Sequence, residues 1–92
     1  MSKQVVHNTD EKRYEINVDG ALAGFTDALE DDGIVTFPHT VVFDGYEGQG
    51  LASVLVSEAL DDVRQRNKKI VPECSYVAQF VDEHPDYADL VA

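Results

Sequence analysis

Val41-Val42-Phe43-Asp44-Gly45-Tyr46-Glu47-Gly48-Gln49-Gly50-Leu51-Ala52 is the stretch that decides how this chain folds. A β-branched run stops in a glycine-bearing loop, and the loop opens directly into an amphipathic helix. Apolar residues then fall at Ala52, Leu55, Val56, Ala59, Leu60 and Val63, the spacing of one helical stripe. Glu58, Asp61, Asp62, Arg64, Gln65 and Arg66 take the solvent side, and Asn67, Lys68 and Lys69 suit the carboxyl end of the helix dipole. The first N–H groups of a helix have no internal partner, and Gly48 and Gly50 carry no side chain to keep a ligand oxygen away from them. Strand, loop and helix together predict an anion site fit for a phosphate.

Ahead of the loop, Gln4 to His7 reads as a short opening strand. Arg13 to Val18 alternates, with Tyr14, Ile16 and Val18 on one face and Arg13, Glu15 and Asn17 on the other. Asp19-Gly20 is a hairpin turn, so Ala21 to Leu29 returns antiparallel, with Ala21, Ala23 and Gly24 allowing close packing. After a turn at Glu30-Asp31-Asp32-Gly33, Ile34 to Phe43 is long enough to cross the whole sheet as its central strand. Pro38 interrupts it and demands an exposed edge or a bulge, because proline cannot donate to a ladder. Beyond the main helix, Ile70-Val71 is a short buried strand stopped by Pro72, and a right-handed crossover sets it parallel to the Ile34 to Phe43 strand. Ser75 to Val81 predicts a short helix with Val77, Phe80 and Val81 inward; His84-Pro85 ends it, and Asp86 to Val91 adds one helical turn.

A chain of 92 residues makes one domain in which scaffold and site share the same elements. A composition of 43% hydrophobic and 27% charged residues is that of a folded domain. The net charge of −11, with seven Lys and Arg, argues against nucleic-acid binding through phosphate neutralisation and fits a cationic partner or, more simply, a solubilising surface. No apolar run is long enough for a membrane span and no signal-peptide core follows Met1-Ser2-Lys3-Gln4, so the expected location is cytoplasmic, with no membrane partner. The single cysteine, Cys74, cannot form an internal disulfide, and His7, His39 and His84 lie too far apart in sequence for a four-ligand metal site.

Three segments carry a family resemblance: His39-Thr40-Val41-Val42; Glu47-Gly48-Gln49-Gly50-Leu51-Ala52; and Val71-Pro72-Glu73-Cys74-Ser75-Tyr76-Val77 followed by His84-Pro85-Asp86-Tyr87. With them the chain resembles the GNAT superfamily of acetyl-CoA-dependent N-acetyltransferases, in particular its small single-domain branch with a cysteine after the strand that follows the main helix. The superfamily loop asks for Gln or Arg, two variable residues, Gly, one variable residue, then Gly or Ala; Gly50 and Ala52 fit, whereas Glu47 departs from it. The resemblance implies a GNAT-like α/β (α+β) fold over residues 1–92: a mixed, mostly antiparallel sheet, the main helix after the central strand, and a short C-terminal helix. It also implies acetyl-CoA as co-substrate and a primary amine as acceptor, such as a polyamine or a Lys side chain, in a monomer or weak homodimer. The alternative is a non-catalytic module or sensor that binds CoA.

On this resemblance the backbone of Val41, Val42 and Phe43 pairs with the pantetheine arm, while the loop from Glu47 through Gly48, Gln49, Gly50, Leu51 and Ala52 holds the pyrophosphate and Ser53 adds a hydroxyl. Cys74 is then an acyl-accepting nucleophile or a proton donor to CoA; from its residue type alone it is equally a small inert core residue. Glu73 beside it is expected to raise the thiol pKa. His39 is the candidate general base, since imidazole titrates near neutrality, and Tyr76 is a second candidate proton donor.

Overall fold

The computed structural model describes residues 2–92. Strands β1 (Lys3–Asn8), β2 (Arg13–Val18) and β3 (Ala21–Asp27) form an antiparallel meander. Asp19 and Gly20 turn the second hairpin with φ of 51° and 86°, the left-handed conformation that this residue pair tolerates. A register shift after Ile16 lets Ala23 and Gly24 both turn inward. Gly24 has no alternative there: a Cβ on it would meet the Val41 carbonyl oxygen at 2.5 Å.

The stretch from Ala21 to Leu29 is not one strand. Ala28 gives its N–H to the Lys12 carbonyl at 2.9 Å, and the chain then leaves the meander as β4 (Leu29–Asp31), a member of a second sheet. Glu30 and Asp31 therefore belong to a ladder, and only Asp32 and Gly33 make the turn. Strand β5 (Ile34–Thr36) lies between β4 and β7 (Lys69–Val71), antiparallel to the first and parallel to the second, with Val35 opposite Ile70.

The long central strand expected from Ile34 to Phe43 is likewise two strands in two sheets. Phe37 still donates its N–H to the Val71 carbonyl at 3.0 Å. Pro38 has no N–H to give, and two residues after Phe37 the chain is bonded to a different neighbour, the Asp27 N–H donating to the His39 carbonyl at 3.1 Å. Strand β6 (Thr40–Val42) then completes a four-stranded sheet in the order β1-β2-β3-β6. The proline thus lets the chain change partners, and the two sheets diverge from that point.

Helix α1 (Leu51–Gln65) is the crossover between β6 and β7. Its buried stripe, Leu51, Leu55, Val56, Ala59, Leu60 and Val63, packs with Tyr14, Ile16, Val35, Phe37 and Ile70 in one core. Removing a side chain such as Leu55 or Leu60 from such a core costs about 2–5 kcal/mol. Helix α2 (Ser75–Glu83) adds Val77, Phe80 and Val81, and the C-terminal turn is a 3-10 helix, Pro85–Leu90, that buries Leu90. Arg64 fixes that turn by a two-pronged bond to Asp89 at 2.9 and 3.0 Å. The far edge of β7 is closed by a bridge from Ile70 to Val91. Among the described residues no helix is long and apolar enough to cross a membrane.

Candidate functional site

Among the described residues, strand β6 is paired on one side only. The His39 carbonyl and the Phe43 N–H both bond to β3, the latter reaching the Ala23 carbonyl at 2.8 Å. Because backbone groups alternate along a strand, Val41 also faces β3, whereas the N–H and C=O groups of Thr40 and Val42 point the other way. There the opposing wall is not a strand. Cys74 donates its N–H to the Phe37 carbonyl at 2.7 Å, which ends the β5–β7 pairing, and the chain turns into α2. The result is a slot walled by β6 and the first turn of α2, with an unpaired strand edge along one side. Of the three backbones expected to line it, Val42 does so; Phe43 and Val41 are turned to β3, and Thr40 takes its place beside Val42.

One end of the slot opens into a cavity of about 230 Å³ lined by Val42, Tyr46, Gly48, Gly50, Ser53 and Tyr76, among others. Gly45, Gly48 and Gly50 there have φ of 91°, 79° and 73°, and nothing lies within 4 Å of where their Cβ atoms would be. Gly50 is the N-cap of α1; no side chain caps the helix and its first turn holds no acidic residue. The Gly50 carbonyl takes the Val54 N–H, so the N–H groups of Leu51, Ala52 and Ser53 remain free. Leu51 is buried in the core by its side chain and offers only its amide, and Glu47 adds a carboxylate to the cavity wall.

At the blind end stands Cys74, 8% exposed, the N-cap of α2. Its thiol donates to the Thr40 hydroxyl at 3.6 Å, a bond in which the hydroxyl becomes the donor when the sulfur is ionised, and the Thr40 and Thr26 hydroxyls lie 2.9 Å apart. Burial pushes the thiol pKa up, but the amides of Val77 and Tyr76, the Thr40 hydroxyl and the Thr40 N–H together outweigh it and hold the thiol below its ordinary range. The net shift is downward, against the rise expected from Glu73.

His39 occupies the opposite face of β6. Its Nε2 lies 2.9 Å from Asp27 Oδ2, and its side chain is 59% exposed.

Residues 13–90 match the GCN5-related N-acetyltransferase family. The chain belongs to that family. It is 32% identical over 84 residues to Protein NATD1 of Gallus gallus, covering 89% of this chain and 76% of that protein. Its identity to Protein NATD1 of Homo sapiens is 31%, covering 89% and 74%. The fold superposes on a GCN5-like protein of Staphylococcus aureus solved by NMR with a TM-score of 0.73, at 21% identity and covering 97% of this chain and 87% of that one. The ribosomal-protein-alanine N-acetyltransferase of Brucella melitensis biovar Abortus 2308 gives a TM-score of 0.58 at 25% identity, covering 87% and 60%.

Within this GCN5-related fold the structure brings Cys74 and Thr40 together, whereas His39, next to Thr40 in the chain, turns to the opposite face of β6. It does not place Tyr76 with them: that side chain is 38% exposed on the rim of the loop cavity, beside Ser53. Burial, then the nearby Glu83 carboxylate, raise the Tyr76 pKa, so the phenol stays protonated and able to donate. Sequence reading missed Thr40, Thr26 and Asp27; their signal is the β3–β6 register, which sets Thr26 opposite Thr40. A larger cavity of about 480 Å³ lies at the other end of α1, lined by His7, Leu29, Glu30 and Arg66, among others. Arg66 there is bonded to Glu30 at 2.7 Å and to Asp62 at 3.0 Å, so its charge is already matched. That cavity is lined by no helix N-terminus, so the smaller one, which holds the free amides of α1, is the better candidate.

Proposed function

We propose that this chain transfers an acetyl group from acetyl-CoA to a primary amine. The observation that carries the proposal is the continuity of the unpaired β6 edge with a loop cavity holding three free helix amides. The cavity is open where a pyrophosphate needs room, and an extended chain of amides such as pantetheine can add to a free strand edge as a further strand does. In this reading the amides of Gly48 to Ser53 and the Ser53 and Tyr76 hydroxyls hold the phosphates. Val42 pairs with the pantetheine amides, and the Thr40 N–H and Cys74 face the thioester.

His39, steadied by Asp27, takes the proton of the attacking amine at Nδ1. A C–N bond forms, the C–S bond breaks, and the electron pair leaves on sulfur. The sulfur then accepts a proton from Cys74, whose lowered pKa makes it a better acid than an ordinary thiol, and Cys74 is reprotonated from solvent.

Acetyl-CoA is expected to raise the melting temperature, and a panel of amines to release free CoA thiol. Stabilisation without thiol release identifies a CoA-binding module instead. Intact-mass measurement after acetyl-CoA is expected to show no adduct on Cys74; an adduct absent from Cys74→Ala assigns it as an acyl acceptor.

A further inference from the structure

Resting on the acetyltransferase reading above, we propose that Glu47 sets which nucleotide the donor site prefers. The site takes the diphosphate and pantetheine arm of CoA and repels its 3′-phosphate, so that 3′-dephospho-CoA binds more tightly than CoA itself. Among the described residues that line the loop cavity, Glu47 alone carries a charged side chain, and it is exposed. What draws an anion there is backbone: the free amides of Leu51, Ala52 and Ser53 at the start of α1, whose dipole amounts to about half a positive charge.

The seven Lys and Arg side chains stand elsewhere. Arg13 is bonded to Glu15 at 2.7 Å, Arg64 to Asp89 at 2.9 Å and Arg66 to Glu30 at 2.7 Å. Lys68 lies 3.9 Å from Glu30, and Lys69 donates to the Asp89 carbonyl at 2.7 Å. Lys12 lines the larger cavity at the other end of α1. Lys3, on β1, is separated from β6 by β2 and β3, roughly 14 Å at ordinary strand spacing. Carboxylates, in contrast, gather at the loop: Asp44 within it, Glu47 in the cavity wall, and Glu83 near Tyr76 on the rim.

CoA brings two separate anionic groups. Its diphosphate adjoins the pantetheine arm, whereas its 3′-phosphate is carried on the ribose, a monoester with about two negative charges near neutral pH. The free amides can meet one of these groups, and their continuity with the β6 edge assigns them to the diphosphate. The cavity of about 230 Å³ is smaller than the roughly 300–1,000 Å³ that encloses a drug-sized ligand, so the adenosine and its 3′-phosphate stay at the mouth. There the 3′-phosphate meets the Glu47 carboxylate and the field of a chain of net charge −11. Two negative charges facing one carboxylate through water, about a Debye length away, cost about threefold in affinity at low salt.

The test is calorimetry of the wild-type chain with CoA and with 3′-dephospho-CoA, each at low and at physiological salt. The proposal expects 3′-dephospho-CoA to bind about threefold more tightly at low salt, and the two affinities to converge as salt is added. Glu47→Gln is expected to bring the two together at low salt, and Glu47→Lys to reverse their order, so that CoA binds more tightly. Glu47 is exposed and outside the core, so both variants are expected to keep the wild-type midpoint in urea. In the wild-type chain, equal binding at low salt or tighter binding of CoA overturns the proposal and leaves the acetyl-CoA reading standing. An unchanged order in Glu47→Lys also overturns it, by taking the preference away from Glu47. Binding of neither nucleotide overturns the acetyl-CoA reading itself.

Discussion

The Cys74 thiol reaches the Thr40 hydroxyl at 3.6 Å across the gap where the two sheets part. This contact closes the slot at its deep end, and the hydroxyl, donating to the ionised sulfur, is one of the groups that depress the thiol pKa. Thr40→Val removes the hydroxyl and keeps the shape. The midpoint of the pH profile for iodoacetamide alkylation of Cys74 is expected to lie below that of a free cysteine in the native chain and to move up in the variant. The lost hydrogen bonds are expected to cost about 1 kcal/mol in urea unfolding.

Gly50 separates charge from backbone strain. Its φ of 73° disfavours any side chain, yet a Cβ there meets open space. Asn and Asp carry the same shape and tolerate this conformation equally well. Gly50→Asn is expected to retain most of the acetyl-CoA thermal shift, and Gly50→Asp, which sets a carboxylate among the phosphate-facing amides, to lose it. Equal shifts in the two variants contradict an anion site at this loop.

Glu47 lines the cavity in which the phosphates are proposed to sit and is the position at which the loop departs from the family pattern. Removing a like charge at a solvated site is worth roughly 0.5–1 kcal/mol. Glu47→Gln is therefore expected to tighten acetyl-CoA binding a few-fold by calorimetry, by a margin that shrinks as salt is added.

Away from the slot, Tyr14 governs alkaline stability. Its hydroxyl donates to Asp62 at 2.6 Å and accepts from Arg66 at 3.0 Å, and burial, then the Asp62 bond, raise its pKa well above the phenol value. A group whose folded pKa exceeds its unfolded value stabilises the fold below the unfolded pKa and loses that stabilisation as pH rises. Stability is thus expected to fall above about pH 10, and Tyr14→Phe to flatten that fall in urea titrations. The same variant is expected to cost about 1–3 kcal/mol at neutral pH, because Asp62 and Arg66 lose a buried partner.

Local pattern made the helices and the β2–β3 hairpin legible: the stripe from Leu55 to Val63, whose first buried member is Leu51 rather than the expected Ala52, the Asp19-Gly20 turn, and the parallel placement of Ile70 after a helical crossover. Pro38 announced an interruption, but not that each half of the strand takes a different partner, because partner choice depends on the distant strands holding Asp27 and Val71. The same non-local register decides that Phe43 spends its N–H on Ala23 while Thr40 and Val42 face the slot. Cys74 could have been read further. It stands immediately before the predicted helix at Ser75, where free amides lower a thiol pKa, and the neighbouring Glu73 drew the reading the other way. Tyr76 faces the loop cavity rather than Cys74 because the start of α2 turns these two side chains in different directions.

The central claim is that acetyl-CoA lies along the free edge of β6 with its phosphates on the first turn of α1. An amide NMR titration of the wild-type chain with acetyl-CoA tests it most directly. The account predicts saturable shifts at Thr40, Val42, Gly48, Gly50 and the three amides from Leu51 to Ser53, together with Cys74 and Tyr76 at the start of α2. Shifts confined to the cavity around His7, Glu30 and Arg66, or none at saturating acetyl-CoA, contradict it.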